Sequence, residues 1–258
     1  PTEHKMYLKE LTPGYTEKVR FRAEVSRLFE ASTFSPVGSL AIAGGLLPYS
    51  FGRLMLRSFA PETTMDLEDS FSSFSVGESK TDFAPPYDID EATGKLAQLF
   101  KNVGATDNFA RLVVGMGHGA RSVNNVFLAA YNCGACCGRE GGPNARVWAR
   151  CANDPDVRRK LREDHGIAIP DDTWFVGGYH DTTSDLVDLY DLDRMPPSHQ
   201  EDLKRARAII DEGRSRNALE RVEKFKLTDA RTPETALRHV EVRPRDVAAG
   251  RPALGRPP

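Results

Sequence analysis

Two apolar runs rich in strand-forming residues, Phe109 to Met116 and Thr173 to His180, frame the part of the chain that most constrains its fold. Between them, Pro143 to Ala152 and Asp156 to Glu163 read as short helices, the second opened by Asp154-Pro155 and stopped by Gly166. The order strand, helix, strand predicts a parallel sheet in an α/β fold, with Asp185 to Tyr190 as a third strand. In open α/β sheets, ligands collect beyond the carboxyl ends of the strands. Each run ends near a histidine. His118 falls just past the first, within Gly115-Met-Gly-His-Gly-Ala120, and His180 closes the second.

From His118 the chain passes Ser122, a suitable N-cap for a helix from Val123 to Tyr131, and reaches Cys133-Gly-Ala-Cys-Cys-Gly138. Cys133 lies fifteen residues after His118, enough chain to cross one helix and return to the same strand edge. Imidazole plus thiolate is a donor set that suits zinc, which takes four ligands in all. Three readings of the cluster stay open. His118 and Cys133 are two zinc ligands, with Cys136 or Cys137 able to add a second thiolate. Or they are a buried thiol and a hydrogen-bonded histidine of purely structural role. Or Cys133 and Cys136 are a C-x-x-C redox dithiol, which requires a helix N-terminus directly after the first cysteine, where Gly138 to Pro143 reads as a loop. His180, followed by Asp181, Thr182, Thr183, Ser184 and Asp185, either orients a ligand from behind or caps the next turn.

With 35 basic and 37 acidic residues and a net charge of −2, the 258-residue chain lacks the basic excess of a nucleic-acid partner. Four cysteines, three of them between 133 and 137, are not a disulfide framework for a chain of this length and point to a reducing compartment. Gly115-x-Gly-x-Gly departs from the dinucleotide fingerprint, and neither a Walker loop nor a Gly-x-Ser-x-Gly elbow is present.

Residues 1–59 read as a helical segment with an apolar hairpin, since 15–31 carries an amphipathic stripe and Val37 to Leu56 is apolar but broken by Gly44, Gly45 and Pro48. That interruption excludes a membrane-spanning helix, which needs about 20 mostly apolar residues. Residues 60–86 are rich in Ser, Asp, Glu and Pro and read as a linker or long loop. Residues 87–230 form the α/β region, including a helix from Asp90 to Asn102 and a long helix from a Ser198/Glu201 capping box to about Lys226, with a break at Gly213. Residues 231–258 turn rich in Pro and Arg and read as extended, as if the chain were cut from a longer one.

Five runs in order carry a resemblance: Gly117-His-Gly-Ala-Arg-Ser-Val-Asn-Asn125, Cys133-Gly-Ala-Cys136, Gly141-Gly-Pro-Asn-Ala-Arg146, Gly166-Ile-Ala-Ile-Pro-Asp-Asp-Thr173 and His180-Asp-Thr-Thr-Ser-Asp185. Together they resemble the DabA family, the large subunits of two-component inorganic-carbon accumulation systems. The resemblance implies a β-carbonic-anhydrase-like, Rossmann-like core with helical additions before and after it. It implies a Zn2+ cofactor held by an early Cys-x-Asp-x-Arg motif and by His118 and Cys133 as the later pair, with zinc-bound hydroxide hydrating CO2 to bicarbonate. No cysteine precedes Cys133, so the early pair is not in this chain. The resemblance further implies a membrane partner of DabB type, similar to proton-antiporter subunits, and a peripheral position on the cytoplasmic face of the cell inner membrane. The Val37 to Leu56 segment is the expected contact with that partner.

Overall fold

The computed structural model describes residues 8–10, 13–60, 63–64, 67, 81–83, 87–121, 132–225 and 230–245, which fall into two compact units divided between residues 83 and 84. In the first unit, β1 (Leu8–Glu10) and the helices α1 (Tyr15–Thr33) and α2 (Pro36–Phe59) are followed by β2 (Thr81–Phe83), which pairs antiparallel with β1. Ser35 caps α2, its hydroxyl accepting from Gly38 N at 3.0 Å, and Pro36 takes the first turn, where its missing N–H is not needed. The apolar segment expected as a hairpin is one helix running through Pro48. An interior proline removes one helical hydrogen bond at a cost of about 3 kcal/mol, which leaves the bonds on either side intact. Val37 and Leu40 are 81% and 78% exposed, and among the described residues no helix is long and apolar enough to cross a membrane.

The second unit runs α3 (Ile89–Val103), β3 (Leu112–Gly119), α4 (Gly142–Ala152), α5 (Pro155–His165), β4 (Trp174–Asp181), β5 (Val187–Leu189), α6 (Gln200–Lys224) and α7 (Pro233–Val242). Local chemistry sets the helix ends. Asp88 accepts from Asp90 N and Glu91 N, Asp154 accepts from Asp156 N and Val157 N, and the left-handed Gly104 and Gly166 close α3 and α5. The sheet order is β3-β4-β5, with β3 and β4 parallel from Leu112↔Trp174 to Gly119↔Asp181.

The expectation of an all-parallel sheet is corrected at β5, which runs antiparallel to β4. Residues 182–186 form only a short turn, and a parallel return needs a crossover of about a dozen residues or more. The fold is thus mixed α/β. Because β4 pairs with β3 as far as Asp181, β3 extends to Gly119 and His118 lies in the strand rather than past it. Gly213 does not break α6. The Ser198/Glu201 capping box is not made, since Ser198 Oγ instead lies 3.1 Å from His199 Nδ1 and no side chain caps α6. The segment from residue 231, expected to be extended, contains α7. Thr232 and Thr235 exchange capping bonds there, Pro233 fills the first turn, and Ala236 and Val240 bury against Ala218 and Val222 of α6. The helix expected from Val123 to Tyr131 lies outside the described residues.

One face of the β3–β4 pair packs on α3, α4 and α5 through Phe175, Phe100, Phe109 and Trp148, with Trp148 and Phe175 ring centroids 5.4 Å apart at 86°. The other face packs Val176, Leu112 and Trp174 against Met195 and Leu203. Helix α4 reaches the sheet only because the strands carry glycine there. A Cβ on Gly177 would stand 2.6 Å from Ala145 O. Gly177→Ala is therefore expected to lose about 1–3 kcal/mol in urea denaturation. Gly94→Ala, mid-α3 with nothing within 4 Å of the added Cβ, is expected to gain about 0.5–1 kcal/mol in the same assay.

Candidate functional site

Glycines in β3 decide what can approach its carboxyl end. A Cβ on Gly117 would lie 2.2 Å from Gly141 O, so only glycine lets the two backbones meet. That approach allows Gly141 N to donate to His118 O at 2.8 Å. Three further bonds tie the preceding loop to the same place. Asn132 Oδ1 accepts from Ala120 N at 2.9 Å, and Arg121 donates to both carboxylate oxygens of Glu140 at 2.8 and 3.0 Å. The Arg121 guanidinium also sits 5.0 Å from the Tyr179 ring centroid. The loop that begins at Asn132 is thus pinned to the strand end that carries His118, and Cys133 comes with it. His118 is exposed and Cys133 half-buried.

The cysteine loop is closed on itself. Cys133 bridges Arg139, and Gly134–Cys136 form a single 3-10 turn with Cys136 N and Gly138 N both donating to Cys133 O at 3.1 Å. Left-handed Cys137 and Gly138 turn the chain back toward Arg139. A 3-10 turn has three residues per turn, so residues i and i+3 eclipse. Cys136 Sγ donates to Cys133 Sγ at 2.9 Å, and Asn144 Nδ2 donates to Cys136 Sγ at 3.1 Å. The hydrogen bond from Cys136, with help from the backbone N–H groups of Cys136 and Ala135, holds the Cys133 thiol below its ordinary pKa. Donating that bond pushes Cys136 upward. Cys137 is exposed. Cys151 is buried in the core, where burial and then Asp154 push its thiol up to about 11.

The two readings of the His180 region divide between neighbouring residues. Asp181 caps the turn, its carboxylate accepting from Thr183 N, Thr183 Oγ1, Ser184 Oγ and Arg121 N at 2.7–3.1 Å. His180, the register partner of His118, instead places Nε2 2.9 Å from Asp185 Oδ1. Asp185 is buried, adopts a left-handed backbone at φ 61°, and also accepts from Asn217 and meets Arg221 at 3.4 Å, both on α6. Burial works to raise the Asp185 pKa. The hydrogen bond from His180, the Arg221 charge and the Asn217 amide outweigh it and hold the carboxyl below its usual range. Neither Asn217 nor Arg221 is among the site residues that the sequence singles out. Their i, i+4 spacing beside the apolar Ala218 and Val222 was the available signal.

His118 and Cys133 offer one imidazole and one acidified thiol, donors that suit zinc and amount to half of a tetrahedral set. Among the described residues no group of three or more His, Cys, Asp or Glu side chains is positioned to hold a metal ion. The buried Tyr179 hydroxyl, next to Gly119, has no hydrogen-bond partner among the described residues, which leaves a polar atom at the same end of the sheet.

The fold is mixed α/β, with a glycine-rich strand end onto which the cysteine loop is pinned. Over residues 4–257 the sequence matches the family described as "Probable inorganic carbon transporter subunit DabA", and the chain belongs to that family. It is 46% identical over 167 residues, 64% of its length, to "Probable inorganic carbon transporter subunit DabA 2" of Rhodopirellula baltica. It is 37% identical over 225 residues, 84% of its length, to the DabA protein of Nitrosococcus oceani, and 38% identical over 224 residues, 80% of its length, to that of Salinibacter ruber. The matches span 16%, 20% and 27% of those relatives. No solved structure matches the chain.

The unfolded chain holds Asp185 near its ordinary 3.8 and the folded chain holds it lower, so the native state binds fewer protons in that window. Its contribution to stability is complete above about pH 4 and is lost as pH falls through the lowered value. Asp185→Asn is expected to lose about 1.5–3 kcal/mol at pH 7 and to show a shallower decline of stability below pH 4 than wild type in urea titrations. An unchanged acid slope would remove Asp185 from the pH response.

Proposed function

We propose that this chain supplies the later half of the zinc site of a DabA-type subunit, with His118 and Cys133 as ligands, and that the completed site hydrates CO2 to bicarbonate during energy-coupled inorganic-carbon uptake. The observation that carries the reading is the pinning of the Cys133 loop to the His118 end of β3 by Gly141, Asn132 and Glu140. The names of the relatives, as probable inorganic carbon transporter subunits, support the inorganic-carbon uptake part of the reading. Bound zinc supplies the Lewis acidity that lowers the pKa of water to about 7, the acidity that CO2 hydration needs near neutral pH.

This chain's own residues prepare the site. Cys136 and the adjoining N–H groups favour the thiolate form of Cys133, the form that binds metal. Gly141 fixes the backbone of His118, and Asp185 fixes the ring of His180 alongside it in the sheet. A Cys-x-Asp-x-Arg pair would complete the donor set from elsewhere in the protein. The parallel β3–β4 pair, packed on both faces, is compatible with a β-carbonic-anhydrase-like core. In this reading the subunit sits peripherally on the cytoplasmic face of the inner membrane against an antiporter-like DabB-type partner, and the exposed apolar side chains of α2 supply the contact. A second reading, a thiol redox protein, draws on the 2.9 Å approach of Cys136 to Cys133.

Elemental analysis of the full-length protein tests the assignment. Wild type is expected to carry about one zinc per chain, and His118→Ala and Cys133→Ser are each expected to lose it together with CO2 hydration measured by stopped-flow pH change. Zinc retained in both variants, or absent from wild type, would sink the reading.

A further inference from the structure

The sulfur pair at the loop has a property that metal binding does not require. Cys133 and Cys136 lie at i and i+3 of one 3-10 turn, their sulfurs 2.9 Å apart, in a loop whose ends are joined by the Cys133–Arg139 bridge. A disulfide bond is about 2.05 Å long, so closure asks the sulfurs to move by less than about 1 Å. The backbone is already held by the 3-10 turn and by Gly138 N on Cys133 O. Both thiols are only half-buried. The other cysteines are not competitors: Cys137 adjoins Cys136 and faces solvent, and Cys151 is 3% exposed within the core.

We propose that Cys133 and Cys136 form a reversible disulfide that withdraws the Cys133 sulfur from the metal site, so that a shift to oxidising conditions shuts the site off. The withdrawal rests on the zinc reading given above, whereas the disulfide stands on the loop geometry alone. With a small-molecule disulfide as oxidant, the Cys133 thiolate attacks one of its sulfurs, breaking the oxidant's S–S bond and expelling one thiolate. The Cys136 thiolate then attacks the Cys133 sulfur of the mixed disulfide, forming the internal bond and expelling the second thiolate. The two protons given up by the protein thiols end on the two released small thiols, and the two electrons reduce the oxidant. A zinc ligand must be a thiolate, and in the disulfide Cys133 no longer is one. The short spacing of the pair makes closure a local event that leaves the sheet unchanged.

The test uses the full-length protein, with and without bound zinc, equilibrated across reduced and oxidised glutathione. Free thiols are trapped with N-ethylmaleimide, peptides are mapped by mass spectrometry, and protein-bound zinc is measured after gel filtration. The expected result is a peptide in which Cys133 and Cys136 are linked, both thiols lost to alkylation, zinc falling in step with the link, and full return of both on adding excess reduced glutathione. Cys136→Ser is expected to form no internal link and to show the same zinc content in the oxidising buffer as in the reducing one, whatever that content is. Cys133 and Cys136 still fully alkylated in metal-free protein at the most oxidising ratio, or Cys133 joined to Cys137 instead, would overturn the proposal. So would a Cys133–Cys136 link that leaves zinc in place. If the reduced wild type carries no zinc but the link forms, the zinc assignment fails and the disulfide stands. If zinc binds and the link never forms, the disulfide fails and the zinc assignment stands.

Discussion

The close approach of two backbones, Gly117 in β3 and Gly141 before α4, is the contact on which the strand end depends. A methyl group at Gly117 would sit 2.2 Å from Gly141 O, and no flexible side-chain tip could give way, because the obstacle is main chain. The approach permits the 2.8 Å bond from Gly141 N to His118 O, which closes the cysteine loop onto the strand. Gly115 and Gly177 do the same further back, letting the Trp148 ring and the Ala145 carbonyl reach the sheet. A row of missing side chains therefore sets both the packing of α4 and the location of the loop.

Around that contact the polar groups divide by burial. The Arg121–Glu140 pair is bidentate but open to solvent, so its value lies in aiming the loop more than in stabilising the fold. The Asp185 cluster is buried and is held by His180 from the sheet and by Asn217 and Arg221 from α6. Each member there needs the others, because an unpartnered charge in that setting is costly. The same cluster orders the left-handed turn between β4 and β5 and fixes the ring of the second strand-end histidine.

Membership of the DabA family and the geometry of the loop bear on different parts of the function. The family is described as a probable inorganic carbon transporter subunit, and the chain spans between 16% and 27% of the relatives compared above. The loop geometry concerns one thiol with two possible fates. In the proposed reading the Cys133 sulfur is a metal ligand that lies within reach of a second thiol, so redox state and metal binding compete for it.

Much of the second unit was legible in the sequence because its signals are local. Asp154-Pro155 opens α5 and Gly166 ends it, as their local chemistry predicts, whereas the equally local Thr232 cap of α7 lies in a Pro- and Arg-rich run that was expected to be extended. His118 and Cys133 stood out by residue type and spacing. What the chain could not declare by itself were the pairings that join distant segments. The direction of β5, the inclusion of His118 within β3, the reach of Arg221 to Asp185 and the meeting of Gly117 with Gly141 all depend on which surfaces pack. Local propensity fixes a helix or a cap within a few residues. Strand direction, buried charge and backbone contact are decided only when the sheet and helices close on one another, because their energies come from neighbours that are remote in the chain.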